Sequence, residues 1–377
     1  MKKNKTNITL SIIGIVTITF MLSSCGKIGQ AKENEEIRPK PKEFLAVKLT
    51  NGSNWSIIDK DGNVVVEEVY PAHSAISNIH DSVYWVKDGK YWLVHLNQPM
   101  QSFMEEGFDD VADFRYCDYT CVSNRQQPIR VINTKGETIA TLPENIKSCQ
   151  IFSKDGYTIF QDKNRKYGVI DKDGNITIEA SYANLAFLNA YEGILLTDAY
   201  QIIDTKGNKL GEIDKARYAF MNFVSGDGKL MVSDANTRNG KCHVLNLKGE
   251  DLFTINASVA FASYYVDGYA VIMDGYSKWG VVDDKGDVVV RPRYDQLINL
   301  GKGEFIAELN RKCGVINAKD EIVIGFDYSE FDFEKLGDNF VMKRGNKYIL
   351  VNKAGEELST FSKCAQDYDS SVSYIGG

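Results

Sequence analysis

Histidine is the side chain best suited to proton transfer near neutral pH, and the chain has four histidines. His95 and His243 fall at fixed positions of a repeat described below, which favours structural roles. His73 and His80 lie in an irregular stretch, where a metal-binding or acid–base role is the less favoured alternative. The sequence has no His-Glu-x-x-His helix, Gly-x-Ser-x-Gly elbow or phosphate-binding glycine loop. We assign no catalytic residue, metal site or cofactor, and an enzymatic role is disfavoured without being excluded.

Carboxylates form two kinds of group. The segments 59–63 and 171–175 resemble the start of a calcium loop, but they lack its later glycine and distal glutamate, so turns are the favoured interpretation. A second group is predicted to be a solvated face or loop; it comprises Glu105, Glu106, Asp109, Asp110 and Asp113. The sequence does not exclude a pair of carboxylates that cleaves a glycosidic bond, since the distance between two such groups depends on the fold.

The cysteines do not indicate a disulfide framework. On one extended strand, Cys117 and Cys121 would lie about 13 Å apart, beyond the roughly 7 Å that a disulfide tolerates. Pairing across a turn or within a helix stays open for these two. Cys149 and Cys364 have no assignable partner in the sequence.

The N-terminus has the pattern of an export signal. Three lysines in the first five residues precede an almost uncharged apolar run from Ile8 to Leu22. This run is shorter than the roughly 20 residues that a permanent membrane-spanning helix needs. Residues 1–24 are therefore predicted to be a cleaved signal peptide.

The segment Leu22–Gly26 resembles the lipobox of bacterial lipoproteins, whose cysteine becomes the lipidated first residue of the mature chain. This implies that Cys25 is lipidated and anchors the protein to a membrane of the cell envelope. Position 26 is glycine and not the aspartate of an inner-membrane retention signal, which favours the outer membrane over the inner one in a Gram-negative cell. A Gram-positive source would have only the plasma membrane. Residues 25–43 are highly charged and are predicted to be a flexible tether.

The mature chain is acidic. Loss of the three lysines in residues 1–24 changes the formal net charge from −7 to −10. An acidic body without a basic stripe repels phosphate backbones, so nucleic-acid binding is excluded.

Residues 44–377 contain about nine copies of a repeat of about 36 residues. A turn position marks each copy, and the nine marks are Gly62, Gln98, Gly136, Gly174, Gly207, Gly249, Gly286, Asp320 and Gly355. Three residues earlier stands Asp or Asn, with His95 as the exception. Seven residues earlier stands an aromatic or soft apolar residue, and these positions are Trp55, Tyr91, Ile129, Tyr167, Tyr200, Cys242, Trp279, Cys313 and Tyr348.

These positions predict β-hairpins. The β-branched pairs before each Asx suit a strand, and Asx-x-x-Gly suits a type I turn whose fourth residue has a positive φ. The aromatic slot implies burial, so Cys242 and Cys313 are predicted to be small buried hydrophobes.

The repeat resembles the bacterial WG-repeat family, whose Trp-Gly pair survives whole at Trp279-Gly280. The resemblance extends over roughly 44–361 and implies no catalytic residues. With three or four strands per copy, the array is predicted to be an all-β protein, with a β-propeller as first choice. An open β-solenoid, or a seven- or eight-bladed ring with an extra terminal hairpin, is the alternative.

The predicted function is a non-catalytic binding or scaffold module of the cell envelope. Its partner would be an envelope protein or a glycan. The alternative is a glycan-active hydrolase on a propeller. The longest spacing between marks, from Gly207 to Gly249, predicts an inserted loop within 225–240. The candidate binding residues of this loop are Asp234, Asn236, Arg238 and Asn239.

Overall fold

The computed structural model describes residues 42–102, 104–220, 228–235, 241–263, 265–365 and 374–375. These residues form β-strands, turns and irregular segments, and none of them forms a helix that could cross a membrane. The predicted signal peptide, Cys25 and most of the tether lie outside the described residues. The prediction of an all-β propeller is confirmed, because the strands form repeated four-stranded antiparallel sheets.

The strands fall into nine units that follow the predicted repeat. The strands of units 1 to 4 are β1 (Phe44–Leu49), β2 (Trp55–Asp59), β3 (Val64–Tyr70), β4 (Ala75–Ile76), β5 (Val83–Asp88), β6 (Lys90–His95), β7 (Gln98–Ser102), β8 (Asp110–Val111), β9 (Tyr119–Ser123), β10 (Arg130–Asn133), β11 (Thr138–Thr141), β12 (Ile146–Gln150), β13 (Tyr157–Asp162), β14 (Tyr167–Asp171) and β15 (Ile176–Tyr182).

The remaining strands belong to units 5 to 9, except for the last, which follows the array. They are β16 (Leu185–Asn189), β17 (Ile194–Thr197), β18 (Gln201–Ile203), β19 (Lys209–Glu212), β20 (Tyr218–Phe220), β21 (Leu230–Asp234), β22 (Cys242–Leu245), β23 (Asp251–Thr254), β24 (Phe261–Ala262), β25 (Tyr269–Met273), β26 (Trp279–Asp283), β27 (Val288–Tyr294), β28 (Gln296–Gly301), β29 (Glu304–Leu309), β30 (Lys312–Asn317), β31 (Ile322–Tyr328), β32 (Glu330–Leu336), β33 (Asn339–Arg344), β34 (Lys347–Val351), β35 (Glu357–Cys364) and β36 (Tyr374–Ile375).

Unit 7 shows how the repeat sequence produces the third and fourth strands. The Asp283 carboxylate accepts hydrogen bonds from the backbone N–H groups of Lys285 at 3.0 Å and Asp287 at 2.9 Å. Gly286 completes this turn with a φ of +87°. In unit 2, where the Asx is missing, His95 takes its place, because its Nδ1 accepts the N–H of Asn97 at 3.2 Å.

The glycine of the Trp-Gly pair is required by a close backbone approach. A Cβ atom on Gly280 would lie 2.5 Å from the carbonyl oxygen of Val290 in the neighbouring strand. The strand register shifts here, since Trp279 pairs with Tyr294 and Val281 pairs with Val290. The Trp-Gly pair therefore marks a β-bulge, which increases the local twist of the sheet.

The ring is closed by a strand that two units share. The first half of β35 pairs with β34, where Leu350 lies opposite Ser359. The second half pairs with β1, where Val47 lies opposite Cys364. Unit 1 supplies only three strands from the N-terminal part of the array, and the end of β35 supplies the fourth. The sheet that results has seven strands, in the order β3-β2-β1-β35-β34-β33-β32.

The hydrophobic core lies between the units. Each of nine buried clusters joins two consecutive units, and one of them packs unit 9 residues such as Leu350 and Phe361 against Val47 and Ile58 of unit 1. Fully burying a side chain of this size contributes about 1.5–3 kcal/mol. The array therefore forms a nine-unit ring. The open solenoid and the smaller ring with an extra hairpin, both left open by the sequence, are wrong.

Two structural details concern the cysteines. Cys242 and Cys313 are buried in the inter-unit clusters. Cys149 lies in the same buried cluster as Cys121, so cysteines of units 3 and 4 pack close together. The sequence does not reveal this proximity, because the two residues lie in different repeats.

Candidate functional site

The two ends of the ring differ in their connections. Because consecutive strands are antiparallel, the connections between the first and second strands and between the third and fourth strands lie at one end, which we call the turn end. The connections between the second and third strands, and those between units, lie at the other end, which we call the loop end. The Asx-Gly turns are therefore at the turn end, and the predicted binding loop is at the loop end.

The predicted insertion within 225–240 is not a single loop, because the strand β21 (Leu230–Asp234) divides it. The part that carries the candidate binding residues, which we call the binding loop, connects the second and third strands of unit 6. It begins at Asp234, the last residue of β21, and ends before Cys242, the first residue of β22. Asn236, Arg238 and Asn239 lie outside the described residues. Asp234 and Lys241 close the base of the loop. The Asp234 N–H donates to the Lys241 carbonyl at 3.1 Å, and the Lys241 N–H donates to Asp234 Oδ2 at 3.0 Å.

A buried histidine ties this loop base to the rest of unit 6. His243 is 8% exposed, and its Nε2 lies 3.0 Å from Asp234 Oδ1. Its Nδ1 lies 3.1 Å from Asp251 Oδ2, and 3.2 Å from the Thr254 hydroxyl. The sequence placed His243 at a structural position, but it gave no sign of these partners.

Asp251 accepts further hydrogen bonds. The Tyr218 hydroxyl donates to Asp251 Oδ2 at 3.1 Å, and the Arg217 guanidinium donates at 3.2 Å while it stacks over the Tyr218 ring. Burial, together with the hydrogen bond to Asp251, raises the pKa of Tyr218. The Lys241 N–H, followed by His243, lowers the pKa of Asp234. These contacts fix both ends of the loop.

This network is suited to positioning a loop and does not resemble a hydrolytic pair. Glycoside hydrolysis by two carboxylates needs a sugar, and in inverting enzymes also a water, between them. The space between Asp234 and Asp251 is occupied by the His243 ring, which contacts both. This pair therefore supplies no acid–base site for the hydrolase alternative.

The aromatic positions of the repeat face the clusters between units. Trp55 is buried and donates its indole N–H to the Ser74 carbonyl at 2.9 Å. Trp279 is half-buried and makes an edge contact with Phe261. Tyr348 stacks on Phe361, with ring centroids 6.0 Å apart, and Tyr167 packs against the cluster between units 4 and 5. The turn glycines have φ values between +82° and +87°, and they are Gly62, Gly174, Gly286 and Gly355.

The calcium-like segments are turns. Asp59 Oδ1 accepts the N–H groups of Asp61 and Asn63, both at 2.9 Å, and Oδ2 accepts the Asn63 side-chain amide. Asp171 makes the same contacts in unit 4. Each carboxylate thus stabilises its own turn.

The acidic group near residue 110 is not wholly solvated as predicted. Glu105 and Glu106 are exposed, and Glu106 pairs with Arg130. Asp113 is buried and accepts a hydrogen bond from the Asn78 side chain at 3.3 Å. The fold buries Asp113 because it follows the short first strand of unit 3.

Comparison with solved structures supports the fold. The crystal structure of a eukaryotic initiation factor is 10% identical with a TM-score of 0.57, and the match covers 89% of this chain and 98% of that one. BamB from Moraxella catarrhalis is 13% identical, with a TM-score of 0.36 and coverage of 67% and 87%. The C-terminal WD40 domain of Sif2 is 10% identical, with a TM-score of 0.38 and coverage of 65% and 82%. The likeness to the initiation factor concerns the fold alone, and the other two matches, with TM-scores below 0.5, support no further conclusion.

Sequence comparison gives a narrower match. No curated protein sequence matches the chain. Residues 279–313 match the family model described as WG containing repeat. This range runs from β26 in unit 7 into β30 in unit 8 and contains the Trp279-Gly280 bulge and the Asp283 turn. The chain therefore carries a WG containing repeat at residues 279–313.

Proposed function

We propose that the protein is a lipid-anchored binding or scaffold module of the cell envelope, whose loop end contacts an envelope protein or a glycan. The observation that supports this proposal is the closed ring, in which the repeat side chains stabilise turns and inter-unit clusters. At the loop end, Asp234 is held by Lys241 and His243, and the binding loop begins at this residue. Propeller-like repeats of this kind are suited to binding.

The position of the tether supports the choice of the loop end. β1 is the second strand of its unit, so it begins at the turn end, where the Lys42 carbonyl accepts the Gly337 N–H at 2.7 Å. A tether from Cys25 to Phe44 spans at most about 65 Å. It enters the ring at the turn end, so the loop end lies farther from the point of attachment than the turn end does. The outer membrane is the favoured location in a Gram-negative cell.

Lipidation is tested by growing cells with radiolabelled palmitate. We expect the label on the full chain and none on Cys25→Ala, since no other cysteine follows the apolar run directly. Fractionation should move the variant out of the envelope membranes. Palmitate on Cys25→Ala would contradict the anchor.

Binding at the loop end is tested with a loop variant and a matched control. Residues 236–239 are replaced by Gly-Ser, which keeps the Asp234–Lys241 base intact. In the control, the same replacement is made at residues 163–165, the equivalent connection of unit 4. We expect only the first variant to lose retention of solubilised envelope proteins or of purified cell-wall glycan on the immobilised protein. Equal retention by both variants would place the binding surface elsewhere, and release of reducing sugar would favour the hydrolase.

A further inference from the structure

Three potential metal ligands meet at the turn end, away from the binding loop. His80 and Asp81 lie in the connection between β4 and β5 of unit 2. Asp118 lies in the corresponding connection of unit 3, between β8 and β9. One ligand atom from each residue lies within 4.8 Å of the other two. Within the described part of the chain, no other His, Cys, Asp and Glu side chains form such a group of three.

The distances suit a small divalent ion. His80 Nε2 lies 3.2 Å from Asp118 Oδ1. In a tetrahedral site with bonds of about 2.0 Å, neighbouring ligand atoms lie about 3.3 Å apart. His80 and Asp118 therefore already span one edge of such a site. A carboxylate oxygen of the exposed Asp81 lies within 4.8 Å of a ligand atom of each of these two residues and supplies the third ligand.

The imidazole is held in place before any ion binds. The His80 ring stacks on Phe114 at an interplanar angle of 17°, and its side chain is 19% exposed. Phe114 is itself stacked on the buried Trp85. The backbone of His80 exchanges two hydrogen bonds of 2.8 Å with Val83. A fixed imidazole lowers the entropy lost on metal binding.

The donor set indicates the class of metal. One imidazole nitrogen and two carboxylate oxygens suit zinc and related divalent transition ions, whereas calcium and magnesium prefer oxygen ligands alone. The Asp118 side chain is 61% exposed, which leaves room for water to complete the coordination. We propose that His80, Asp81 and Asp118 bind a divalent first-row transition-metal ion, with Zn²⁺ as the first candidate, and thereby link units 2 and 3.

A second histidine provides the control. His73 Nε2 also lies 3.2 Å from a carboxylate, that of Asp88, but the side chains of this pair are 69% and 58% exposed. No third ligand of the described residues joins that pair. If both contacts were simple His–Asp pairs, substitution of His73 and of His80 would have the same effect on zinc affinity. A metal site at His80 would make only the substitution of His80 lower this affinity.

The test is calorimetric titration of ZnCl₂ into the full chain, solubilised in detergent and stripped of metal with a chelator. We expect one ion per chain with a micromolar Kd, weakened at least tenfold in His80→Gln and in Asp118→Asn and unchanged in His73→Gln. Zn²⁺ should also raise the Tm of the wild type but not that of Asp118→Asn, an exposed substitution that leaves the ring packing intact.

Two results would overturn the proposal. One is the absence of zinc binding by the wild type up to millimolar concentration. The other is equal affinity in the wild type, Asp118→Asn and His80→Gln, which would place the ion elsewhere. If His80→Gln does not fold, Asp118→Asn and His73→Gln together still decide the outcome.

Discussion

At the scale of single residues, glycine serves two different purposes in this repeat. Gly286 and Gly355 close turns with φ values of +87° and +82°. Gly280 has no such conformation and is needed because the Val290 carbonyl lies too close for a Cβ. The sequence revealed the turn role through the Asx three residues earlier. The sequence also showed the Trp-Gly pair as a repeated feature. It did not predict the β-bulge that requires this glycine, because the bulge depends on the register of the partner strand.

The two turn glycines allow backbone strain to be separated from packing. A Cβ on Gly355 meets nothing within 4 Å, whereas one on Gly286 lies 2.9 Å from the Phe253 ring. We expect Gly355→Ala to lower the free energy of unfolding by about 1 kcal/mol. Gly286→Ala should lower the free energy of unfolding by more than Gly355→Ala does, and Gly286→Val should lower it by about 1–3 kcal/mol. Urea unfolding measures these differences, and Gln98→Val, at a mark without glycine, should cost less. Equal stability of Gly286→Val and wild type would contradict the turn register.

A pair of tyrosines predicts how stability depends on alkaline pH. The Tyr70 and Tyr84 hydroxyls lie 2.5 Å apart between units 1 and 2. Burial raises the pKa of Tyr70 to about 12, and burial together with Tyr70 raises the pKa of Tyr84 further. In both cases the folded pKa exceeds the unfolded value of about 10. The stabilisation is therefore complete below pH 10 and is lost as the pH rises from 10 through the folded pKa.

The measurement is the Tm of the wild type and of two variants between pH 8 and 11.5. Tyr84→Phe removes one of these protons, so its Tm should fall less steeply above pH 10 than that of the wild type. Tyr276→Phe is the control, because Tyr276 is 90% exposed. Identical slopes for the wild type and Tyr84→Phe would show that the pair does not titrate in this way.

The residues of the candidate sites were predicted only in part. The spacing of the repeat marks indicated an insertion within 225–240, but it did not show that β21 divides this stretch into two connections. The network beneath the binding loop was missed, because Asp234, His243 and Asp251 lie on three strands and become neighbours only when the sheet forms. His80 stood out as a histidine outside the repeat frame. Its contact with Asp118 joins two units and could not be derived from spacing.

At the scale of the strands, the third and fourth strands of each unit were the most predictable. They flank the Asx-Gly turn, and the strand register shifts beside this turn in every unit. A second shift at the Trp-Gly position occurs in units 1, 4, 7 and 8, and it is absent in unit 3, where Arg130 replaces the glycine. The first strands were the least predictable. Ala75–Ile76 and Phe261–Ala262 have only two residues each, which is too short for a periodic pattern.

The shared strand β35 is the element on which ring closure depends. Its last residues cover Val47, and Ala365 donates its N–H to the Ala46 carbonyl at 2.7 Å. A chain that ends at Phe361 loses Cys364 and these hydrogen bonds, each of which contributes about 0.5–1.5 kcal/mol. We expect this truncation to lower the free energy of unfolding by at least about 2 kcal/mol and to expose the edge of β1.

The matched control is a chain that ends at Ala365, which keeps β35 and removes the short β36. Its free energy of unfolding, measured by urea titration, should be close to that of the full chain. Hydrogen exchange should show faster exchange at Ser56 and Ile58 in the shorter variant alone. If both truncations have the same stability, β35 does not close the ring.

At the scale of the whole molecule, nine inter-unit clusters make stability a property of neighbouring units. The sequence predicted the nine copies through their turn marks. It left the closed form open, because closure depends on contacts between residues about 310 positions apart, such as that between the Thr50 hydroxyl and the Thr360 carbonyl. Closure also fixes the end of the ring at which the chain enters, since the Lys42 carbonyl accepts the Gly337 N–H at the turn end.

The proposed anchoring of the ring by its turn end can be tested by chemical labelling. Single cysteines are introduced by Tyr276→Cys at the loop end and by Asp61→Cys at the turn end, both at exposed positions. The native thiols give little background, because burial raises the pKa of Cys117 and Cys242 to about 12 and raises that of Cys121 strongly. A bulky polyethylene-glycol maleimide is then applied to vesicles that carry the lipidated protein on their outer surface.

In the anchored protein, we expect labelling at position 276 to be several times faster than at position 61, because the tether holds the turn end near the bilayer. In Cys25→Ala, which lacks the anchor, the two rates should become similar, and this isolates the effect of the membrane from local differences in exposure. Faster labelling at position 61 in the anchored form would mean that the turn end faces outward. The proposed metal-binding residues, rather than the binding loop, would then lie on the surface available to partners.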